Sequence, residues 1–100
     1  MSLFDREKQI ETYFIRRVKM AGALNRKIQY VMINGCPDRL VIFPGGKVCF
    51  VELKKPKNTT AAGALSRIQQ AEHERMAAVG VKVVVLSTRD DVDRFIKANT

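Results

Sequence analysis

Apolar residues recur at helical spacing in three segments of the chain, which predicts three helices. The first helix covers DREKQIETYFIRRVKMAG, and its apolar stripe consists of Phe4, Ile10, Phe14 and Val18. The second runs from about Leu65 to Val79, and its stripe consists of Leu65, Ile68, Met76 and Val79. The third is RDDVDRFIKAN, capped by Ser87 or Thr88.

Four segments between these helices have the length and composition of β-strands. RKIQYVMI is a short strand that NGCP follows as a turn, while PGG joins DRLVIF and KVCFVELK in a hairpin. VKVVVL is a continuous apolar run, typical of a strand that is buried on both faces. KPKNTTAAGA, before the second helix, is a loop. The order αβββαβα predicts a single α/β domain over residues 1–100, with one mixed four-stranded sheet flanked by helices.

The third strand carries two charged residues that a purely structural strand would avoid. Because side chains alternate along a strand, Glu52 and Lys54 share a face with Val48 and Phe50. Burying a charge costs several kcal/mol unless the charge is paired or binds a metal. Asp38 opens the adjoining strand of the hairpin, where cross-strand side chains lie roughly 5 Å apart. We therefore expect Asp38, Glu52 and Lys54 to converge at one point on the sheet.

Two carboxylates at that separation repel each other and need a shared counter-charge. Mg²⁺ suits this need because it prefers oxygen ligands, and it acidifies water for attack on a phosphodiester. Lys54 could orient or deprotonate that water, or stabilise the pentavalent state. A structural interpretation is also open: Glu52 and Lys54 could form a surface ion pair worth about 0–1 kcal/mol, and Asp38 could be a turn residue.

The charge distribution indicates a polyanionic partner. The net charge is +8, and residues 1–60 hold twelve Lys/Arg against five Asp/Glu, whereas residues 61–100 hold six against five. Such an excess favours nucleic acid, although solubility alone would also explain it. No apolar run approaches the ~20 residues of a membrane span, and the charged start does not resemble a signal peptide, so we expect a cytoplasmic protein. Cys36 and Cys49 fit no metal-ligand spacing, and His73 is the single histidine, which argues against a zinc site.

The pair Pro37-Asp38, followed after a hairpin by Glu52-Leu53-Lys54, resembles the signature of the PD-(D/E)XK nuclease superfamily. More narrowly, GCPDRL, FVELK and LSRIQ resemble the virus-type replication-repair nuclease (VRR-NUC) domain over nearly the whole chain. The resemblance implies a restriction-endonuclease-like αβββαβ core and a DNA endonuclease that uses Mg²⁺, for which Mn²⁺ can substitute. Stand-alone members of this family are often encoded by phages, which implies the cytoplasm of the host.

The resemblance also implies roles for residues of the hairpin. Asp38 and Glu52 match the metal-binding carboxylates of the family, and Lys54 matches the catalytic lysine. The backbone carbonyl of Leu53 would be a further metal ligand.

Two further site residues come from the helices. Gln69 matches the glutamine on the helix after the Glu-x-Lys strand, but Ser66 and Gln69 also fit a capping box, and both roles could hold. The family pattern includes an acidic residue on the first helix, where Glu7 fits the spacing better than Glu11 does.

The expected partners are DNA and a second copy of the chain. Candidate contacts to the DNA backbone are Arg17, Arg26, Lys27, Lys55 and Lys57. The chain has no room for a separate sequence-reading domain, so we expect branched, flapped or four-way junction DNA as the substrate. Junctions present two strands for cutting, which favours a homodimer. Its interface could be the strip Val92, Phe95 and Ile96, unless this strip packs on the sheet.

Two other functions fit the same residues. The chain could be a non-catalytic DNA-binding module, although an intact set of Asp38, Glu52 and Lys54 argues against a degenerate nuclease. It could also be a subunit that cuts only within a larger replication or repair assembly.

Overall fold

The computed structural model describes the backbone of residues 3–54 and 65–100, and the side chains of those residues from Lys8 onward. The elements are α1 (Leu3–Met20), β1 (Leu24–Lys27), β2 (Arg39–Ile42), β3 (Val48–Leu53), α2 (Arg67–Ala78), β4 (Val84–Leu86) and α3 (Arg89–Ala98). The strands form one sheet in the order β1-β2-β3-β4. The first three strands pair antiparallel, and β4 pairs parallel with β3. The predicted mixed sheet with flanking helices is therefore confirmed.

The hydrophobic core lies on one face of the sheet, beneath α1 and α3. The predicted stripe of α1 is buried at Ile10, Phe14 and Val18, while the side chain of Phe4 lies outside the described residues. The other members of the core are Val41, Phe43, Val51, Leu86, Val92, Phe95 and Ile96. The ring of Phe95 lies 5.5 Å from that of Phe43 and 6.4 Å from that of Phe14. These aromatic contacts join both helices to the sheet.

The strip on α3 belongs to this core. Val92, Phe95 and Ile96 are only 0%, 5% and 6% exposed. The hypothesis that they form a dimer interface is therefore wrong, and the alternative that they pack on the sheet is correct. The helix begins at a capping box in which Thr88 Oγ1 accepts the backbone N–H of Asp91, so Thr88 is the cap.

The chain turns at glycines where the backbone takes positive φ. After α1, Gly22 has φ 74°, its N–H bonds the carbonyl of Lys19, and the N–H of Ala23 bonds the carbonyl of Val18. This Schellman arrangement ends the helix at the predicted place. In the β2–β3 hairpin, Gly45 and Gly46 have φ of 97° and 93° after Pro44, which allows the tight turn.

The first strand is shorter than RKIQYVMI and lies earlier in the chain. Its ladder to β2 ends with Lys27 paired to Arg39, and one more bond follows, from the N–H of Ile28 to the carbonyl of Asp38. The following segment contains Met32 and Gly35 with φ of 78° and 99°, a backbone conformation that a continuous strand does not adopt. Residues 28–37 instead form an irregular connection, which we call the rim loop.

Two other elements are more exposed than their sequence patterns indicate. The fourth strand is an edge strand rather than a central one, and Val85 is 39% exposed. The apolar stripe of α2 does not enter the core: the helix contains no buried residue, and Ile68 and Val79 are 52% and 81% exposed. The predicted loop KPKNTTAAGA lies at residues 55–64, outside the described residues. None of the described helices is long and apolar enough to cross a membrane.

Candidate active site

The second face of the sheet carries the predicted site residues in an ordered set of rows. The strand register places Leu24, Ile42 and Val48 side by side in one row, and Arg26, Leu40 and Phe50 in the next. Glu52 follows in the third row beside Val85 of β4. Since Arg39 pairs with Val51, the preceding Asp38 lies opposite Glu52 on this same face. The register therefore brings the two acids together.

Asp38 and Glu52 hold different positions in this row. The carboxylate of Asp38 accepts the backbone N–H of Leu53 through Oδ2 at 3.0 Å. The N–H and C=O of one strand residue point to the same side, so the carbonyl of Leu53 is directed toward the Asp38 side of β3. Glu52 is only 1% exposed. An acid buried this deeply needs compensation from its surroundings.

Gln69 serves the helix cap and the site at the same time. Its Oε1 accepts the N–H of Ser66 at 3.0 Å, and its own N–H bonds Ser66 Oγ at 3.1 Å, which completes the predicted capping box. Its Nε2 donates to Oε2 of Glu52 at 3.3 Å. The two interpretations of this residue are therefore compatible, because the cap faces the acid pair.

His73 lies one helical turn after Gln69 and faces the same acid. Its Nε2 is 3.7 Å from Oε1 of Glu52, which is too long for a good hydrogen bond. Both atoms are buried and lack a hydrogen-bond partner within the part of the chain that the structure describes. Burial lowers the pKa of His73, so the ring is neutral at pH 7. A neutral imidazole does not balance the charge of Glu52.

The pKa of Glu52 reflects the burial of this carboxyl group next to a second acid. Burial is the largest cause, and together with the hydrogen bond and negative charge of Asp38 it raises this pKa to about 8, although the positive charge of Lys54 acts to lower it. Lys54 is half-buried at the end of β3, where its backbone N–H bonds the carbonyl of Leu86 at 3.0 Å. Without a cation, Glu52 therefore keeps a proton at neutral pH.

The structure treats the two acidic candidates on α1, Glu7 and Glu11, differently. Glu11 points to the core face, where its Oε2 is 3.3 Å from the guanidinium of Arg39, so it pairs with that arginine rather than with the acid pair. The backbone of Glu7 belongs to α1, but its side chain lies outside the described residues. Its assignment to the site stays a prediction.

The basic candidates also differ in their surroundings. Arg17 is engaged with Asp93 at 2.9 Å and with the hydroxyl of Tyr13 at 3.1 Å. Arg26 and Lys27 are exposed on β1, and Arg26 shares the sheet face of Asp38 while Lys27 does not. Lys55 and Lys57 lie outside the described residues.

Sequence reasoning missed the contact that holds the rim loop against α2. The hydroxyl of Tyr30 donates to Oε2 of Glu72 at 2.5 Å, and Arg75 Nε lies 3.1 Å from the other carboxylate oxygen. The bond to Glu72 is the main cause that raises the pKa of Tyr30 to about 12. Tyr30 and Glu72 are 42 residues apart, and no local pattern connects them. The sequence places Glu72 one turn before Met76, near the apolar stripe of the helix, which indicates that the acid needs a partner. This position does not identify Tyr30 as that partner.

The donor set at the acid pair suits a hard divalent cation. The described residues hold no group of three or more His, Cys, Asp or Glu that could bind a metal ion. The available donors are instead the carboxylates of Asp38 and Glu52 and the carbonyl of Leu53. Mg²⁺ commonly takes one or two carboxylates and keeps several waters. Oε1 of Glu52 is buried and finds no hydrogen-bond partner in residues 8–54 and 65–100, so it is an oxygen that such a cation would satisfy.

Comparison with known proteins agrees with this geometry. No family model matches the chain. A protein of Acyrthosiphon pisum secondary endosymbiont phage 1, named "Putative nuclease p44", is 36% identical over 85 residues, which are 85% of this chain and 86% of the phage protein. A solved structure described as "VRR_NUC domain" has a TM-score of 0.82 and 36% identity, and the match covers 95% of this chain and 98% of that one. The chain therefore belongs to the VRR-NUC domain family.

The raised pKa of Glu52 predicts a pH-dependent stability in the absence of metal. The folded state holds a proton up to about pH 8, whereas the unfolded carboxyl releases it near its ordinary value of 4.5. The folded state thus binds more protons between these values, so the free energy of unfolding falls as pH rises from 4.5 to 8. Urea unfolding in EDTA at pH 5 and pH 8 measures this fall.

A matched pair of variants isolates Glu52 in that measurement. Glu52→Gln removes the titrating group and keeps the shape, so it should flatten the pH dependence. Glu74→Gln makes the same change at an exposed glutamate of α2 and should keep the wild-type slope. Equal slopes for wild type and Glu52→Gln would contradict the assignment.

Proposed function

We propose that this VRR-NUC domain is a divalent-metal-dependent endonuclease that hydrolyses phosphodiester bonds in DNA, with a preference for branched structures. One observation carries the proposal: the Glu52 carboxylate is buried beside Asp38 and has an oxygen with no hydrogen-bond partner among the described residues. A structural ion pair would have satisfied that oxygen. The nuclease class is also supported by the name of the phage relative and by the match to a VRR-NUC structure.

The residues of the chain divide the work of hydrolysis. Asp38, Glu52 and the carbonyl of Leu53 would hold Mg²⁺, which would activate water and offset the charge that develops on the phosphate. Gln69 fixes the orientation of Glu52 by donating to its Oε2. Lys54, close enough to lower the pKa of Glu52, would orient the attacking water or stabilise the pentavalent phosphate.

DNA would approach along the face that carries the acid row. Arg26 pairs with Leu40 on this face, in the row that neighbours the row of Asp38 and Glu52. Arg26 is exposed. A phosphate contact by Arg26 would position the backbone without reading bases. Arg17 is less suited to this role because Asp93 already offsets its charge.

The first functional prediction concerns the acid pair. Asp38→Ala or Glu52→Ala should abolish cleavage of labelled four-way, flapped and linear DNA in Mg²⁺, while DNA binding survives. Calorimetry with Mn²⁺ should show the loss of metal binding in both variants. Glu74→Ala, on the exposed surface of α2, is the control and should cut and bind like wild type. Wild-type heats of Mn²⁺ binding in the acid-pair variants would refute the ligand assignment.

Lys54 is predicted to act on the transition state. Lys54→Ala should lower kcat by about 10²–10³-fold, the loss typical of one stabilising donor, while Mn²⁺ and DNA affinities stay near wild type. Single-turnover kinetics at saturating protein separates the two effects. An unchanged kcat with a raised KM would make Lys54 a phosphate contact instead.

We further propose that the active form is a homodimer, since a junction presents two strands and one chain offers one site. With the α3 strip buried, a different surface must mediate the contact. The row Leu24, Ile42 and Val48 provides one, because Leu24 and Val48 are each 50% exposed at the end of the sheet face opposite the acid row. If two copies pair through this row, the rows that contain Asp38 and Glu52 lie at the two outer ends of the combined surface.

A substitution in this row tests the dimer. Light scattering at micromolar concentration should give a mass near twice 11.3 kDa for wild type and near 11.3 kDa for Val48→Glu. Val79→Glu places the same charge at an 81% exposed valine that caps the C-terminal end of α2, and this variant should remain dimeric. A wild-type mass of one chain, with junction cleavage intact, would refute the dimer.

A further inference from the structure

The tip of the rim loop presents three consecutive aliphatic side chains to solvent. Val31, Met32 and Ile33 are 85%, 96% and 61% exposed. Single exposed apolar residues are ordinary on protein surfaces, but three adjacent ones at a loop tip form a continuous apolar projection. We call Val31–Ile33 the rim-loop tip. The mechanism of hydrolysis above does not use it.

The loop is fastened on both sides of its tip. Before the tip, the Tyr30 hydroxyl bonds Glu72 at 2.5 Å and lies 3.8 Å from Met76 Sδ. After it, Gly35 packs so closely on α2 that a Cβ there would lie 3.0 Å from the carbonyl oxygen of Ile68. The tip is therefore held outward from α2 by contacts that do not include its own side chains.

The backbone at the tip is itself constrained. Met32 has φ 78°, the only positive φ among the described non-glycine residues. Such a conformation costs of order 1 kcal/mol or more and persists where the surroundings fix it, often at ligand clamps. Here it directs an almost fully exposed methionine into solvent.

The tip lies close to the acid pair along the chain. From Ile33, five residues lead through the buried Pro37 to Asp38, a distance that cannot exceed about 18 Å. At ~3.4 Å per nucleotide along a duplex, this reach corresponds to about five base steps. A tip within this distance is in reach of a DNA molecule whose phosphate occupies the site.

The charge around the tip fits DNA better than a protein partner. Residues 26–37 contain Arg26 and Lys27 and no acidic residue, and Arg67 is exposed on the adjacent α2, where Arg75 offsets the charge of Glu72. An apolar projection within a positive surrounding can approach phosphates while its aliphatic end reaches the bases. Isoleucine and methionine are among the side chains with which proteins separate stacked bases.

We propose that the rim-loop tip inserts between bases at the branch point of bound DNA and unstacks them next to the strand that is cut. This inference rests on the proposed nuclease function and deepens it. Unstacking costs a few kcal/mol in a continuous duplex and least where bases are already unpaired. Insertion of the rim-loop tip, which we call the wedge, thus favours branched DNA over linear duplex without reading the base sequence.

Fluorescence of a base analogue tests the wedge directly. The probe is a four-way junction with 2-aminopurine at the branch point, bound in EDTA so that no strand is cut. Wild type should raise the fluorescence several-fold, and Met32→Gly should remove most of the rise, because glycine keeps positive φ without the side chain. Val31→Ser with Ile33→Ser provides a second variant. Met20→Ser, at a 73% exposed methionine that ends α1, should behave like wild type.

The outcomes separate the wedge from the catalytic proposal. Loss of the signal in the tip variants, with affinity for a linear duplex unchanged, supports insertion. An equal signal in wild type and Met32→Gly overturns it even when the wild type cuts junctions. A wild type that unstacks the base but never cuts in Mg²⁺ refutes the nuclease proposal and leaves the wedge standing. If the tip variants become monomeric by light scattering, a second copy covers the tip and the proposal is wrong.

Discussion

The juxtaposition of Asp38 and Glu52 across the β2–β3 hairpin constrains everything around it. Two acids that share a row of a sheet repel each other, and one of them is almost completely excluded from water. Burial on this scale opposes folding unless other parts of the molecule compensate. The compensation comes from the opposite face, where α1 and α3 enclose an apolar core around Phe14, Phe43 and Phe95. One face of the sheet thus carries the apolar core that stabilises the fold, and the other face carries the acid pair.

The same constraint explains why α2 is a polar helix. A helix normally packs through an apolar stripe, yet α2 has no buried residue and turns Gln69, Glu72 and His73 toward the site and the rim loop. Its capping glutamine also orients Glu52, so the start of the helix and the geometry of the acid are fixed by one side chain. A helix attached by hydrogen bonds rather than by apolar burial can be positioned accurately without closing the site to a large substrate.

The parts of this structure that sequence predicts are those set by short-range rules. The period of two along β3 and a hairpin marked by Pro44 and two glycines fix which residues face Asp38, and local capping chemistry fixes Thr88. The end of β1, the burial of the α3 strip and the bond from Tyr30 to Glu72 depend on contacts between distant segments. Periodicity finds an apolar stripe but does not say what covers it. The stripe on α2 is an example, because its members Ile68 and Val79 stay outside the core.

The acid pair also couples cation binding to protons. Asp38 accepts the N–H of Leu53, whereas Glu52 is more buried and keeps a proton to about pH 8. A cation at the pair must therefore displace that proton, so its apparent affinity rises with pH up to this range. The neutral His73 cannot take over the role of the cation, because burial also lowers its pKa. Nothing in the described surroundings of Glu52, apart from Lys54, offsets a second negative charge. The proposed cation would supply the positive charge that these surroundings lack.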